Sequence, residues 1–543
     1  MSYLKDVAAR LASHNTTDAQ TPQSEPIAGS TQVPNSAGGY SWAVSDWTRL
    51  QRFLILGSEG GSYYVGERAL TAENASATLR CISEDGARAV QTIVEISESG
   101  RAPKNDPALF ALALAAAKGD ETTRRLALAA LPRVARIGTH LMHFAAFVET
   151  QRGWGRGLRR AIADWYNTKP ARDVAYQALK YQARDGWSQR DLLRLSHPQA
   201  PTESHQTLYH WIVKGWEGVG DEPHPDQALL QIWAMERAKR AQGADEIAAL
   251  IRDYRLPREA IPTPFLNEIA VWEALLEQMP MTALIRNLAT LTRIGLLAPN
   301  SEAARRVRAQ LGDEAWLKRA RVHPIAILSA LKTYAQGHGE RGGNVWQPVT
   351  QIVDALDEAF YASFGNVVPS GKRTLLALDV SGSMTCGSVA GVPGLTPRMA
   401  SAAMALITAA TETDYQVMGF SDKFMRLSIS PRQRLDDVMK KLDNLPFAGT
   451  DCALPMMWAK QNKVAADVFV IYTDSETWFG KVHPAQALRQ YRDKMGIASR
   501  LVVVGMVSNG FTIADPDDSG MMDAVGFDTA TPQIISDFAS ERL

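Results

Sequence analysis

Thr374-Leu-Leu-Ala-Leu-Asp-Val-Ser-Gly-Ser383 is the stretch that decides the fold of this 543-residue chain. Its apolar run, from Leu375 to Leu378, predicts a buried strand that ends abruptly in a polar loop. Ligand sites in open α/β sheets lie beyond the carboxyl ends of the strands. The loop presents one carboxylate and two hydroxyls at alternate positions, Asp379, Ser381 and Ser383. Hard oxygen ligands of this kind suit Mg²⁺, which keeps part of its coordination shell for water or a partner.

Two later stretches supply further oxygen ligands. Gly449-Thr450-Asp451 offers a hydroxyl on a loop, and Val468–Tyr472 predicts a second buried strand that is followed by Asp474. The order D-x-S-x-S, then Thr, then a strand-end Asp resembles the metal-ion-dependent adhesion site of von Willebrand factor A domains. A phosphatase of the aspartyl-phosphate type would need a second Asp where Ser381 stands. We therefore predict a divalent metal site, with Mg²⁺ as the ion, formed by Asp379, Ser381, Ser383, Thr450 and Asp474.

The length and the apolar pattern divide the chain into parts. Single cores stop growing at roughly 250–300 residues, so more than one domain is expected. Residues 1–40 hold few large apolar groups, which predicts a flexible N-terminal arm. Residues 41–368 repeat apolar side chains at helical spacing and predict stacked helix pairs, which offer a concave surface or close into a ring. Residues 369–543 alternate strand and helix patterns and predict a doubly wound, mainly parallel α/β domain.

Composition places the chain in a cellular context. Its three cysteines are few and widely spaced, which predicts neither a disulfide framework nor a zinc site. No apolar run approaches the length of a membrane span, and the first residues lack the apolar core of a signal peptide. We therefore predict a cytoplasmic protein without a membrane partner.

The formal net charge of zero hides a local basic excess. Residues 151–200 contain 10 Lys and Arg against 4 Asp and Glu, whereas residues 371–543 contain 17 against 19. Aromatic side chains are interleaved with these cations, as in proteins that contact phosphates and stack on RNA bases. The alternative is a solvated helix face with its Trp residues in the core. A helix predicted over Arg172–Arg184 would place Lys180 and Arg184 on one face.

No catalytic arrangement stands out in the sequence. A Ser-His-Asp order, the metalloprotease pattern H-E-x-x-H, a Walker sequence and paired catalytic carboxylates are all missing. We therefore expect a binding protein and not an enzyme.

Several long motifs resemble the Ro ribonucleoprotein autoantigen family, and the resemblance runs from about residue 22 to the C-terminus. The motifs are Gly38-Gly-Tyr-Ser-Trp42, Gly57-Ser-Glu-Gly-Gly61, Ala161-Ile-Ala-Asp-Trp-Tyr-Asn167, Asp191-Leu-Leu-Arg-Leu-Ser-His197, Thr333-Tyr-Ala-Gln-Gly-His-Gly339 and Ser508-Asn-Gly-Phe-Thr-Ile-Ala-Asp-Pro-Asp-Asp518.

The resemblance implies a fold and a set of partners. The fold would be a ring of helical repeats, the TROVE module, closed by a von Willebrand A domain. Members of the family bind small noncoding Y RNA on a basic outer face and take single-stranded 3′ ends of misfolded or precursor structured RNAs into the central hole. The Y RNA residues fall on Lys180, Arg184 and His197. Bacterial members are tied to a 3′→5′ exoribonuclease, polynucleotide phosphorylase, and to RNA quality control and the stress response.

Two functions from different classes follow. The first is an RNA-binding scaffold of a ribonucleoprotein, and the second is a metal-dependent protein–protein adhesion module in which the A domain is the working part. A ring formed within one chain also favours a monomer.

Overall fold

The structure is a computed structural model that describes the chain from residue 20 to residue 542 with short gaps. The described residues are 20–57, 67–216, 222–320, 322–339, 343–364, 367–389, 395–431, 433–445, 449–507, 509–528 and 530–542. The family motif at 57–61 lies mostly outside these ranges, as does the arm before residue 20. Within the described ranges, no helix combines the length and the apolar character needed to cross a bilayer.

Between Asp46 and Ala362 the described residues form mainly α-helices, as predicted. Apolar side chains at three- and four-residue spacing bury one face of each helix against its neighbours. The helices are α1 Asp46–Leu56, α2 Glu67–Glu84, α3 Gly86–Ser99, α4 Asp106–Lys118, α5 Glu121–Val134, α6 Gly138–Gln151, α7 Arg156–Asn167, α8 Ala171–Lys180, α9 Gln189–Ser196, α10 Glu203–Lys214, α11 Leu230–Ala238, α12 Ala244–Tyr254, α13 Ile269–Glu277, α14 Met281–Arg293, α15 Glu302–Leu311, α16 Glu314–Ala320, α17 Pro324–Ala335 and α18 Thr350–Ala362.

The helical region returns to its own beginning. The imidazole Nε2 of His323, which precedes α17, lies 3.0 Å from the carbonyl oxygen of Arg101, which follows α3. A cavity of about 340 Å³ at this seam is lined by Pro103 and Lys104 together with side chains of α14 and α17. The helices from α4 to α17 are therefore joined end to end through this seam.

One predicted helix ends earlier than expected. α8 stops at Lys180, and the chain then forms a hairpin of β3 (Ala183–Arg184) and β4 (Trp187–Ser188). Asp185 and Gly186 make the turn with φ of 51° and 79°, the two positive values that a two-residue hairpin turn requires. The prediction that Lys180 and Arg184 share a helix face was therefore wrong, because the Asp-Gly turn overrides the helical spacing.

The C-terminal region forms the predicted α/β domain. Its six-stranded sheet has the order β11-β9-β8-β5-β6-β7, parallel except for the edge strand β7. Burial on both faces explains the continuous apolar runs of the central strands. The strands are β5 Thr374–Asp379, β6 Tyr415–Phe420, β7 Phe424–Arg426, β8 Val468–Thr473, β9 Arg500–Gly505 and β11 Met521–Val525. The helices packed on them are α19 Pro397–Thr411, α20 Leu435–Asp443, α21 Leu454–Gln461, α22 Pro484–Met495 and α23 Thr531–Ala539.

Residues 20–43, here called the N-terminal segment, lie against the α/β domain. β1 (Gln32–Pro34) pairs with β2 (Tyr40–Ala43), which pairs in turn with β10 (Phe511–Thr512) of the α/β domain. The structure thus differs from the predicted arm, which extended to residue 40. The few apolar groups of this segment are a misleading signal, because backbone and amide hydrogen bonds hold it together with the burial of Trp42 and the packing of Ile27 against the core of the α/β domain.

A buried arginine joins the helical region to the α/β domain. Arg52 of α1 is 1% exposed and makes two hydrogen bonds to the Asp523 carboxylate, at 2.6 and 2.7 Å. Its other terminal nitrogen donates to the carbonyl oxygens of Asn509 and Phe511, each at 2.9 Å. A buried guanidinium with these partners fixes the two regions relative to each other, because losing any partner would leave a desolvated charge.

Candidate functional site

The structure brings the predicted metal ligands to one edge of the sheet. Asp379 is the last residue of β5, and Asp474 directly follows β8, its parallel neighbour. The carboxylate of Asp379 accepts from the backbone N–H of Ser381 (2.9 Å) and from the hydroxyl of Thr473 (2.7 Å). The hydroxyls of Ser381 and Ser383 lie 3.0 Å apart. Two carboxylates and two hydroxyls thus converge where parallel strands end.

The fifth predicted ligand, Thr450, sits on a loop that is tied to both sides of this edge. The next residue, Asp451, donates its backbone N–H to Ser421 O (2.9 Å), just beyond β6. The carbonyl oxygen of Thr450 accepts the backbone N–H groups of Trp478 and Phe479, each at 3.1 Å, from the loop that follows β8. Thr450 is therefore held between the ends of two strands that flank the site, and it is buried.

The electrostatics of the cluster fit a cation. Burial and the neighbouring charge of Asp474 raise the pKa of Asp379 to about 7, and burial also raises the pKa of Asp474. A divalent cation would relieve this cost by compensating two desolvated carboxylates. The donor set, carboxylates and hydroxyls without nitrogen or sulfur, suits Mg²⁺. The described residues contain no group of three or more His, Cys, Asp and Glu side chains placed to hold a metal; a cation at this edge would have two carboxylates, Asp379 and Asp474, and would need the hydroxyls as further ligands.

Arg398 donates hydrogen bonds to the loop that carries Ser381 and Ser383, and it was not among the site residues predicted from the sequence. Its Nη2 donates to Val380 O (2.7 Å) and Ser381 O (3.2 Å), and the residue is 1% exposed. It enters from the first turn of α19. A lone Arg at a helix start carries no pattern that marks such a role.

The N-terminal segment holds the two loops that carry Thr450 and Asp474. The Gln23 amide donates to Asp451 Oδ1 and to Val482 O, both at 2.7 Å, and its oxygen accepts from the Thr477 hydroxyl. The backbone N–H groups of Ser36 and Ala37 donate to Glu476 Oε2 at 3.0 and 3.2 Å.

Close packing shows that the N-terminal segment fits tightly against the loop that follows β8. A Cβ at Gly39 would lie 2.1 Å from Thr477 O, and one at Gly480 would lie 2.2 Å from the Gln23 amide nitrogen. The shape of the metal edge therefore depends on residues more than 400 positions away in sequence.

A separate cavity of about 740 Å³ opens among the helices. Its lining residues come from the loop before α6, from α8 and from elements as far along the chain as α14. Seven of the lining side chains are cationic and two are carboxylates. The cations are Arg136, Lys169, Arg172, Lys180, Arg255, Arg258 and Arg286, and the carboxylates are Asp173 and Glu259.

Most of these cations are available to a ligand. Within the described part of the chain, Arg172, Arg255, Arg258 and Arg286 form no ion pair, and all four are exposed. The ammonium of Lys169 lies 3.9 Å above the Trp165 ring, and burial lowers its pKa to about 8. The cavity therefore keeps a strong positive field near neutral pH.

The three predicted RNA-binding residues occupy one stretch of chain but different surroundings. Lys180 ends α8, lines the cavity and lies 3.2 Å from the Tyr176 hydroxyl. Arg184 is exposed on the hairpin, and His197 is exposed at the end of α9 with φ of 47°. The eight-residue α9 spans about 12 Å and separates the hairpin from His197. Of the three, Lys180 alone lines the cavity.

Most cavity cations were missed by sequence reasoning. The basic excess of residues 151–200 pointed to Lys169, Arg172 and Lys180, but Arg255, Arg258 and Arg286 lie in stretches of balanced charge. Arg255 and Arg258 reach the cavity because α8 packs against the turn at Arg258–Ala260, and no local signal in the sequence indicates that packing.

Family models match both regions. The TROVE domain model covers residues 33–333, and the Ro60 vWA domain model covers residues 373–539. The two matches divide the chain as the structure does, with the TROVE model on the helical region and the vWA model on the α/β domain. The chain belongs to the TROVE family and carries the Ro60 type of A domain, as the sequence resemblance predicted.

Individual relatives agree with this membership. The chain is 47% identical over 510 residues to "RNA-binding protein RO60" of Deinococcus radiodurans, covering 94% of this chain and 95% of the relative. It is 36% identical over 586 residues to "RNA-binding protein RO60" of Caenorhabditis elegans, covering 94% and 90%. The crystal structure of the Deinococcus radiodurans RO (RSR) protein matches with a TM-score of 0.70 at 46% identity, over 92% of this chain and 100% of that one.

Proposed function

We propose that this protein is an RNA-binding scaffold of a cytoplasmic ribonucleoprotein and that the basic cavity receives single-stranded RNA. The observation that carries the proposal is the cavity lining of seven cations against two carboxylates. A polyanion gains most from such a lining, because each phosphate contact releases a condensed counterion. Both curated relatives are named RNA-binding proteins.

One aromatic side chain in the cavity wall suits it to single strands. Tyr176 contributes to the wall, and Lys180 lies 5.4 Å above its ring. Unpaired bases stack on such rings without sequence preference, whereas a duplex keeps its bases stacked internally. The substrates we propose are the single-stranded 3′ ends of misfolded or precursor RNAs, presented to a 3′→5′ exoribonuclease of the polynucleotide phosphorylase type during RNA quality control.

The exposed hairpin and the end of α9 support a second RNA contact. Arg184 and His197 are exposed outside the cavity, and Lys180 lies at its wall. We propose that a small structured RNA of the Y type contacts these three residues. It would then lie beside the cavity and control entry to it.

The cavity is tested by removing two of its unpaired cations. We expect Arg258→Gln with Arg286→Gln to weaken binding of a single-stranded oligonucleotide about tenfold at moderate salt. The slope of log K against log salt should become shallower by about 1.4, since each lost single-strand phosphate contact removes roughly 0.7. Fluorescence anisotropy over a salt series measures both quantities.

A matched control is available on α15. Arg305 and Arg308 are exposed, lie outside the cavity lining and sit on a regular helix. Arg305→Gln with Arg308→Gln removes the same charge and should leave the salt slope unchanged. Equal slopes for the two double variants would contradict the cavity assignment, because the loss would then be a general charge effect.

A second candidate function is metal-dependent adhesion to a protein. The convergence of Asp379, Ser381, Ser383 and Asp474, with Thr450 anchored beside them, favours it. These residues would hold Mg²⁺ and leave a coordination position for a partner's carboxylate. The two functions are compatible, since a ribonucleoprotein that recruits a nuclease could use both.

A further inference from the structure

Two adjacent aromatic side chains are exposed beside the candidate metal centre. Trp478 is 37% exposed and Phe479 is 52% exposed. They follow the ligand Asp474 by four and five positions. The other exposed large apolar side chains of the described residues, Leu126, Ile269, Val345 and Val368, are isolated from one another in sequence.

The aromatic pair is held rigidly against the metal edge. The backbone N–H groups of both residues donate to the carbonyl oxygen of the ligand Thr450, each at 3.1 Å. The Phe479 ring packs against Gly449, where an added Cβ would lie 2.9 Å from ring atoms. The two rings meet edge to face with centroids 5.6 Å apart. The pair therefore keeps a fixed position relative to the ligand loop, and binding there would cost little ordering entropy.

The surroundings of the pair suit a partner that brings a single carboxylate beside an apolar side chain. Lys481 is exposed two residues after Phe479, and Mg²⁺ in the oxygen cluster, with its charge balanced by Asp379 and Asp474, would still offer an open coordination position. A protein carboxylate is a hard oxygen ligand for that ion.

Nucleic acid fits this face less well than a protein does. The C-terminal region, residues 371–543, carries 17 Lys and Arg against 19 Asp and Glu. The loop after β8, which carries the aromatic pair, also lies close to three buried carboxylates: Asp379, Asp474 and Glu476. A polyphosphate backbone would meet no basic surface comparable to that of the cavity.

We infer that this face docks a protein segment in which an aspartate or glutamate stands next to a large apolar side chain. The carboxylate completes the coordination of Mg²⁺ held by Asp379, Ser381, Ser383, Thr450 and Asp474, and the apolar side chain packs on Trp478 and Phe479. This inference rests on the adhesion function proposed above and names the chemistry of its partner.

A displayed library of random peptides, panned over the full chain with Mg²⁺ and released with EDTA, tests the inference. We expect enrichment of peptides that carry an acidic residue next to a large apolar one. A synthetic peptide of the enriched class should bind Trp478→Ser with Phe479→Ser about tenfold or more weakly, as expected when a central aromatic anchor is lost. Val345→Ser with Val368→Ser, which alters apolar side chains that are comparably exposed but remote in sequence, should bind normally.

The outcomes separate this inference from the adhesion function itself. If Asp379→Asn abolishes peptide binding and the aromatic double variant retains it, the metal adhesion stands and the inference is wrong. If no peptides are enriched in a Mg²⁺-dependent manner, or if Asp379→Asn binds normally, both are wrong. A loss of single-stranded RNA binding in the aromatic variant, without a loss of peptide binding, would assign the pair to base stacking and overturn the inference.

Discussion

His323 links α17 to Arg101 through its imidazole, and Arg101 continues the link to the α/β domain. Its Nδ1 accepts the backbone N–H of Ile325 (3.1 Å), which caps α17, and its Nε2 donates to Arg101 O at 3.0 Å. Arg101 then donates to Val525 O at 2.8 Å and to the Asp528 carboxylate at 3.2 Å in the α/β domain. Only the neutral tautomer with its proton on Nε2 satisfies both bonds of the imidazole. Protonation would therefore break the cap at the seam of the ring.

Because the neutral imidazole of His323 is needed for both bonds, we expect the stability of the folded chain to decrease at acid pH. Burial lowers the pKa of His323 from the ordinary 6.5, although the charge of Asp528 opposes the shift. The unfolded chain then binds more protons than the folded one below 6.5, so this contribution to stability is complete above that pH and is lost as the pH falls.

We expect thermal stability to fall more steeply between pH 7 and pH 5 in the parent chain than in His323→Gln. The difference in slope has an upper bound of about 1.4 kcal/mol per pH unit, the value for one proton. Calorimetry of both chains across this range measures it. Parallel pH profiles would show that His323 does not control the seam.

At the scale of elements, the β3–β4 hairpin shows where helical spacing misleads. The sequence from Arg172 onward keeps apolar residues at helical intervals, yet the helix ends at Lys180. Tertiary contacts complete the hairpin, since His143 Nδ1 pairs with Asp185 Oδ2 at 2.5 Å and the Trp154 and Trp187 rings lie 5.0 Å apart. The Asp-Gly pair was the local signal that could have identified the turn.

The turn geometry predicts the effect of Gly186→Val. Valine at a positive φ costs about 1–2 kcal/mol or more, so the hairpin should distort and move Arg184. We expect affinity for a small structured RNA to fall in Gly186→Val and equally in Arg184→Ala, with helix content unchanged by circular dichroism.

Gly371→Val provides the control for this change. Gly371 also has a positive φ, 66°, and, like Gly186, has nothing within 4 Å of an added Cβ, but it lies before β5 in the α/β domain. The Gly371→Val variant should bind the RNA with the affinity of the parent chain. Normal binding by Gly186→Val would remove the hairpin from the proposed contact.

At the scale of the whole molecule, the sequence predicted what is local. Buried strands that end in Asp379 and Asp474 were predictable because apolar runs and the polar residues after them are adjacent in the chain. The docking of the N-terminal segment was not predictable, since Gln23 reaches Asp451 and Val482 through amide hydrogen bonds that leave no apolar signature. The cavity could not be predicted residue by residue either, because its lining comes from helices and loops that are far apart in sequence, from Arg136 to Asn287.

The closed helical region gives the molecule two separate working faces. The basic cavity collects cations from residues 136 to 286, whereas the metal edge lies at the carboxyl ends of strands in the α/β domain. Arg52 and the His323–Arg101 contact couple the two regions mechanically. Under the two functions proposed above, this division would leave the basic cavity to RNA and the metal edge to a protein, without competition for a surface.

The most direct test of the central claim is to locate the end of a bound RNA. A single-stranded tail with a 3′-terminal photoreactive uridine is bound to the full chain and crosslinked, and the modified peptide is identified by mass spectrometry. The account predicts crosslinks to peptides that line the cavity, within residues 169–180 or 255–287, and their loss in Arg258→Gln with Arg286→Gln. Crosslinks confined to the α/β domain or to helices outside the cavity would contradict it.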